Sequence, residues 1–348
     1  MYFNANKVIK KRIGFASSHK GNKLNIAYGI DKNFFLGCAV SITSILVANS
    51  NLNFSFHIFT NYINDDCEKK LEQLADKYNT DITIYLVDDN NLSNLPTTKN
   101  WTIATYFRFI VADYLYNKID KILYLDADII CKGSLQELFT LQFDNNIAYV
   151  VTEKDSIWWN KCANRLNEHK LSSGYFNAGF LLINLKKWQE TNINSRALKL
   201  LSDPDLSIKF THLDQDVLNL LLLEKVKYID RKYNQQVSIN YELKYKSNVN
   251  CYSPISDETI LIHYIGPTKP WHSWAKDYKC SQYFLNAKSA SPLNSIPLLS
   301  PITTAQMRYC AKHKLHQKQI FSSIFYFIKY FLYKMNIQKI LIFKRKNL

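Results

Sequence analysis

Lys121-Ile122-Leu123-Tyr124-Leu125-Asp126-Ala127-Asp128 passes in one step from a buried-strand pattern to two carboxylates spaced i, i+2. The apolar run suits a strand covered on both faces, and the acids mark where the chain leaves the sheet. At a strand's carboxyl end both carboxylates can turn toward one hard divalent cation, which takes oxygen ligands. Outward from this stretch, short apolar runs at 25–28, 55–59, 82–86, 147–151, 180–184 and 259–263 alternate with helical spacing over 34–48, 65–78, 105–115, 187–201 and 215–223. That alternation predicts an α/β fold with a mostly parallel sheet, whose ligands gather past the carboxyl ends of the strands.

A second cluster runs from His263 to His272. His263 follows Ile260-Leu261-Ile262, again at a strand end, and is the candidate third ligand. Two carboxylates and one imidazole leave positions open for substrate oxygens. They suit manganese better than magnesium, which prefers an all-oxygen shell. Gly266 permits close backbone approach, and Lys269 supplies a point charge for phosphate.

Composition removes several rivals. The chain has 348 residues and 47% hydrophobic content, enough for a substantial core. Its eight glycines include no pair separated by one residue, so a dinucleotide-binding GxGxxG is excluded. The one GxxxxG, Gly174 to Gly179, is followed by Phe180 where a P-loop needs Lys. Seven widely spaced cysteines, none in a CxxC, fit a reduced, cytoplasmic compartment. Neither a signal-peptide pattern nor a membrane-spanning apolar run is found.

The net charge of +15 lies at the ends: 303–348 holds ten Lys or Arg and no acid, 1–23 holds six and no acid, and the body between is near neutral. The implied organisation is a basic segment at 1–23, a catalytic domain at 24–288, a Pro/Ser linker at 289–301 and a basic amphipathic tail at 302–348. On a helical wheel over 318–335, Ile320, Phe321, Ile324, Phe325, Phe327, Ile328, Phe331, Leu332 and Met335 share one side. Lys318, Lys329 and Lys334 lie on the other. About 27 Å of such helix, with Lys339, Lys344, Arg345 and Lys346 beyond it, points to an anionic membrane surface bound through 318–346. Packing on the body or on a partner's helix is the alternative.

The ordered motifs make the chain similar to glycosyltransferase family 8, in particular its bacterial lipopolysaccharide core glucosyl- and galactosyltransferases. They are Ile26-Ala27-Tyr28-Gly29-Ile30-Asp31-Lys32-Asn33-Phe34, Thr105-Tyr106-Phe107-Arg108-Phe109, Leu123 to Asp128, Phe176-Asn177-Ala178-Gly179-Phe180, Leu213-Asp214-Gln215-Asp216 and the stretch from His263 to Trp271. The resemblance implies a GT-A fold, that is, a Rossmann-like nucleotide-binding sheet with helices on both faces, here with a C-terminal helical extension. It implies a UDP-sugar donor (UDP-glucose or UDP-galactose), Mn2+ with Mg2+ as the alternative, and transfer with retention of configuration. The acceptor would be a lipid-anchored lipopolysaccharide core oligosaccharide, reached by an enzyme peripheral on the inner face of the cytoplasmic membrane.

Carried over by motif, Asp31 and Asn33 would contact the uridine and ribose, and Arg108 the donor's sugar or phosphates. Asp126, Asp128 and His263 would hold the metal, and Gly266 and Lys269 the diphosphate. Asn177, Asp214 and Gln215 would surround the transferred sugar. Either Glu153 or Asp155 would supply one more sugar-site carboxylate. Plainer readings stand beside these: Asp31, Asn33 and Asp214 also suit helix caps, and Asn177 a turn. Trp158, Trp159, Trp271 and Trp274 are available to stack on sugars or to fill the core. Two rivals remain, a nucleic-acid-binding protein using the basic ends and a non-catalytic sugar-binding scaffold. The near-neutral body speaks against nucleic acid and the intact acids against the scaffold.

Overall fold

A computed structural model of the chain describes residues 5–19, 21–98, 101–244 and 254–346. It divides into two compact units: Met1–Gln236 with Asp257–His263 and Ala287–Asn294, and Val237–Ser256 with Tyr264–Asn286 and Ser295–Leu348. The strands are β1 (Ile9–Phe15), β2 (Leu24–Ile30), β3 (Phe54–Thr60), β4 (Asp81–Val87), β5 (Lys121–Leu125), β6 (Ile129–Cys131), β7 (Ala148–Thr152), β8 (Phe176–Asn184), β9 (Val226–Tyr228), β10 (Gln235–Val237) and β11 (Leu261–Tyr264). Eight of them form the main sheet of the first unit in the order β1-β4-β3-β2-β5-β8-β7-β9.

The sheet centre is apolar on both faces, as in Leu24-Asn25-Ile26-Ala27-Tyr28, where Ile26, Ala27 and Tyr28 are fully buried. Such a strand needs helices on both sides. Helix Phe35–Ala48 is buried almost all round, from Leu36 to Leu46. Helix Asp65–Tyr78 buries only Leu71, Leu74 and Ala75. Asn64 caps it by accepting from Cys67 N, and Asp65, Asp66 and Glu68 complement the dipole of its first turn.

The predicted α/β class holds, but the sheet is more mixed than the alternation implied. Strands β4, β3, β2 and β5 run parallel, whereas β8 is antiparallel to both β5 and β7. The amino end of β8 therefore reaches the sheet edge where β5 and β7 end. The segment 1–23 is also not a free basic arm. Ile9–Phe15 pairs antiparallel with β4 and forms the sheet edge, presenting Lys10, Lys11 and Arg12 to solvent. Cations on an edge strand discourage pairing with another chain, which accounts for this charge without nucleic acid.

The segment 289–301, expected as a linker, is built into the fold. Ser291 and Leu293 are buried, and Leu299 bridges to His272. In the second unit, helix Thr304–His316 starts from a capping box between Thr303 and Gln306 and buries Met307, Cys310, Ala311 and His313. Helix Ile320–Lys346 follows it. The basic residues from Lys339 onward lie outside the described side chains. Among the described residues no helix is long and apolar enough to cross a membrane. The six described cysteines are free thiols, and Cys251 falls outside the described residues.

Three buried histidines set the acid response. Burial and Arg12 lower His57 to about 4, burial and Lys269 lower His272 to about 3, and burial and His316 lower His313 to about 3. The unfolded chain, with ordinary values near 6.5, binds more protons than the native one below that pH. The histidines' contribution is therefore full above about pH 6.5 and falls toward pH 4, by up to about 1.4 kcal/mol per pH unit for each. It outnumbers the opposite contribution of two buried carboxyls, Asp214 and Asp113, which burial raises to about 7 and about 6. Thermal melting at pH 7, 5.5 and 4.5 checks this; a constant Tm over that range contradicts it.

Candidate active site

The registers of β5, β8 and β11 assemble the site. Leu125 pairs with Phe180, so Asp126 falls opposite Gly179 and donates its N–H to the Gly179 carbonyl at 2.9 Å. The chain turns there, with Ile129 N donating to Asp126 O, and β6 then pairs antiparallel with β11 so that Ile129 faces His263. Asp126, Asp128 and His263 thereby offer ligand atoms all within 4.8 Å of one another. His263 Nε2 lies 3.2 Å from Asp128 Oδ1 and 3.9 Å from Asp126 Oδ2. Asp128 and His263 are buried and Asp126 is partly open. Asp128 is thus a wall of the site, not an acid pointing into solvent.

The tautomer of His263 is fixed from behind. Its Nδ1 donates to Asn234 Oδ1 at 2.9 Å, which leaves the Nε2 lone pair toward the acids. Gly179 keeps the space between them clear. A Cβ there would lie 2.4 Å from His263 Cε1, 2.8 Å from Asp126 Oδ2 and 3.0 Å from Asn177 Oδ1. Two oxygen donors, one oriented imidazole and a clear floor fit a divalent cation.

A buried hydrogen-bonded chain continues from Asn234. Its Nδ2 donates to Asn177 Oδ1 at 3.0 Å. Asn177 Nδ2 donates to Glu153 Oε2 at 2.6 Å and to Gln215 Oε1 at 3.1 Å, and Ala178 N also donates to Gln215 Oε1, at 3.0 Å. Sequence reasoning missed Asn234, because a single Asn in a polar stretch carries no signal until β11 brings His263 to it. The choice between Glu153 and Asp155 is separated by geometry. Glu153 is buried in this chain, whereas Asp155 caps helix Ser156–Leu166 by accepting from Trp158 N at 3.0 Å.

Arg108 is 5% exposed, and its donors go to protein groups. Nη1 reaches Ala178 O at 2.6 Å, Nη2 reaches Asp126 Oδ1 at 3.1 Å, and Nε pairs with Asp214 Oδ2 at 3.0 Å. Its guanidinium also lies 4.5 Å over the Tyr124 ring. It ties Asp126 to Asp214 from below. Burial pushes the Asp214 carboxyl up to about 7 against the opposing pull of Arg108. Asp216, from the same motif, is fully buried and takes Arg165 on both oxygens, Tyr175 OH and His212 N. It anchors helix Leu213–Leu221, which carries Gln215.

Asp31 does cap the turn Lys32–Phe34, through Asn33 N at 2.8 Å, while its second oxygen accepts from Thr102 Oγ1 at 2.9 Å. Asn33 is exposed beside it. Gly266 and Lys269 belong to the second unit. Gly266 has φ 87, and Lys269 Nζ donates to Tyr264 O at 2.7 Å. Trp271 and Trp274 are core residues of that unit.

The model of glycosyl transferase family 8 matches residues 25–275, and that of the family's C-terminal region matches 278–334. Lipopolysaccharide 1,3-galactosyltransferase of Salmonella typhimurium is 52% identical over 92% of this chain and 94% of its own. Lipopolysaccharide glucosyltransferase WaaO of Escherichia coli is 49% identical over 90% of this chain and 91% of its own. Among solved structures, galactosyltransferase LgtC in complex with donor and acceptor sugar analogues superposes with a TM-score of 0.64 at 22% identity, covering 77% of this chain and 96% of that one. That likeness supports the GT-A fold. With the family model spanning most of the sequence and near relatives matched almost end to end, the chain belongs to glycosyl transferase family 8.

Proposed function

We propose that the chain moves glucose or galactose from a UDP-sugar to a lipopolysaccharide core oligosaccharide, with retention of configuration. The observation that carries this is the buried chain from the Asp126–Asp128–His263 cluster through Asn234 and Asn177 to Glu153 and Gln215. It joins a cluster that would hold a divalent cation to amide and carboxylate groups that would meet sugar hydroxyls. Asp126, Asp128 and His263 would hold Mn2+, with Mg2+ a weaker substitute. When bound, the cation supplies positive charge against the negative charge that develops on the departing diphosphate. Asp31 and Asn33 would meet the nucleoside, and Gly266 and Lys269 the phosphates. Arg108 would act chiefly by holding Asp126 and Asp214 in register.

Retention requires attack from the face the leaving group vacates, either through a covalent intermediate or by front-side displacement. Gln215 Oε1 already accepts two hydrogen bonds and an amide oxygen is a weak nucleophile, so we favour front-side displacement, with the leaving diphosphate oxygen taking the acceptor's proton. Incubation with UDP-glucose or UDP-galactose and delipidated core oligosaccharide tests the reading by mass and anomeric configuration. The expected product carries one added α-hexose; an inverted linkage or no product overturns it. His263→Ala should lower turnover and narrow the preference for manganese over magnesium, because imidazole is the donor that favours manganese. Metal-dependence curves check this, and an unchanged preference makes His263 structural.

We further propose a cytoplasmic enzyme peripheral on the membrane's inner face. Helix Ile320–Lys346 buries Ser323, whose Oγ donates to Ala311 O, and leaves its apolar stripe outward. Phe321 is 91% exposed, and Ile324, Phe325, Ile328, Phe331 and Leu332 are each more than half exposed. An outward apolar stripe on a basic helix fits an anionic lipid interface. Replacing Phe325 and Ile328 by Ser should cut cosedimentation with phosphatidylglycerol vesicles severalfold, with Tm and turnover on delipidated acceptor preserved. Unchanged vesicle binding contradicts it. Removing everything after Pro301 is a poorer test, because it also deletes the buried Met307, Cys310 and His313.

A further inference from the structure

Lys269 is anchored on its own loop. Its Nζ donates to Tyr264 O at 2.7 Å and its backbone N–H to His272 Nδ1 at 3.0 Å. The ammonium therefore stands where the shape of residues 264–272 puts it, and helix Thr304–His316 holds that shape at two points within the second unit. At the first, His313 Nε2 lies 2.9 Å from Asn240 Oδ1, which also accepts from Thr268 Oγ1 at 2.7 Å. An amide oxygen only accepts, so Nε2 carries the ring proton, and Nδ1 accepts from Tyr278 OH at 2.7 Å. At the second, Gln317, just past the helix, donates to Trp274 O at 3.0 Å. The Trp274 ring stacks on His272 at 4.2 Å and 23°, and His272 takes the Lys269 N–H.

His313 is fully buried and Thr268 nearly so. Burial keeps the imidazole neutral, which lets one nitrogen donate while the other accepts. Packing alone does not call for this residue. At a buried helix position Leu would avoid the cost of taking two polar ring atoms out of water. Here both nitrogens are satisfied, by Asn240 on one side and Tyr278 on the other, residues far from the helix in sequence. A buried polar network with its members paired fixes one arrangement, whereas apolar packing tolerates several. The segment fixed most directly is the one that leads from Gly266 through Thr268 to Lys269.

We infer that His313 is a positioning residue for the donor: through Asn240 and Thr268 it sets the loop that presents Gly266 and Lys269 to the diphosphate. This rests on the reading of Gly266 and Lys269 as phosphate contacts. It gives helix Thr304–His316 a part in donor binding, beyond serving as the base for the helix that follows it. His313 itself touches neither donor nor metal; it acts by removing alternatives to one loop shape, which lowers the ordering cost of binding.

Titration calorimetry on the full chain with Mn2+ tests this, with UDP and uridine as probes. His313→Leu should weaken UDP about tenfold, the equivalent of one hydrogen bond to a charged group. Uridine affinity should stay at the wild-type level, because uridine has no phosphate. Thr268→Val keeps the outline of the side chain and removes only the hydroxyl that bonds Asn240, so it should produce the same selective loss in a folded protein. The double variant should be no weaker than the worse single one, since both break one chain. His313→Gln should recover most of the affinity, its amide N–H standing in for Nε2–H. Unchanged UDP affinity in His313→Leu and Thr268→Val overturns the inference, as do equal losses for UDP and uridine, the mark of a merely structural role. Wild-type protein that binds UDP no better than uridine overturns the phosphate reading and the inference with it, a result distinct from strong UDP binding that the variants keep.

Discussion

Asp128→Asn is expected to lower kcat/KM by about two to three orders of magnitude, on the order of 3 kcal/mol of transition-state stabilisation, as for the loss of one preorganised electrostatic group. Asn keeps the size of the side chain and removes one negative charge from the proposed metal site. Asp128 is buried against His263 at 3.2 Å, so the substitution also removes a carboxylate that an imidazole faces, and only a small change in Tm should follow. Steady-state kinetics at subsaturating manganese, with melting curves beside them, check both parts. Normal turnover at low manganese would remove Asp128 from the metal site.

Gly179→Ala should be at least as damaging, although it adds one carbon and touches no charge. The new Cβ would meet His263 Cε1 at 2.4 Å and Asp126 Oδ2 at 2.8 Å, so an acid or the imidazole must move. Gly179 lies in the middle of β8, every residue of which but the last is buried, and its carbonyl takes Asp126 N, so the strand has little freedom to yield. Because a ligand displaced by about 1 Å loses most of its contribution, turnover should fall at least about a hundredfold. Manganese affinity should weaken with it, and UDP affinity measured without metal should change far less. Wild-type manganese affinity in Gly179→Ala would show that β8 can shift and that the cluster tolerates it.

Much of the site was legible because its groups sit where a pattern breaks. Leu125 to Asp126 is an apolar run ending in acids, and Ile262 to His263 repeats that signature. What stayed hidden depended on direction and partners. Alternation and apolarity in Phe176 to Asn184 are the same whichever way the strand runs, so nothing local announced that β8 is antiparallel and brings its first residues to the site. Asn234 acts only through His263, a residue distant in sequence. Lys10-Lys11-Arg12 read as a basic segment because an edge strand with exposed cations loses the apolar signature of a buried one. Prolines at 292, 297 and 301 read as a linker, whereas the buried Leu293 between the first two holds that stretch in the fold. Glu153 and Asp155 were indistinguishable until the left-handed Lys154 turned one inward and left the other to cap a helix.

UDP release by the full chain, measured from UDP-glucose and from UDP-galactose after chelation and again with Mn2+ restored, tests the central claim most directly. The Asp126–Asp128–His263 site predicts release from one of the two donors that chelation abolishes, manganese restores and delipidated core oligosaccharide accelerates. Release that persists through chelation, or no release from either donor with manganese and acceptor both present, would contradict it.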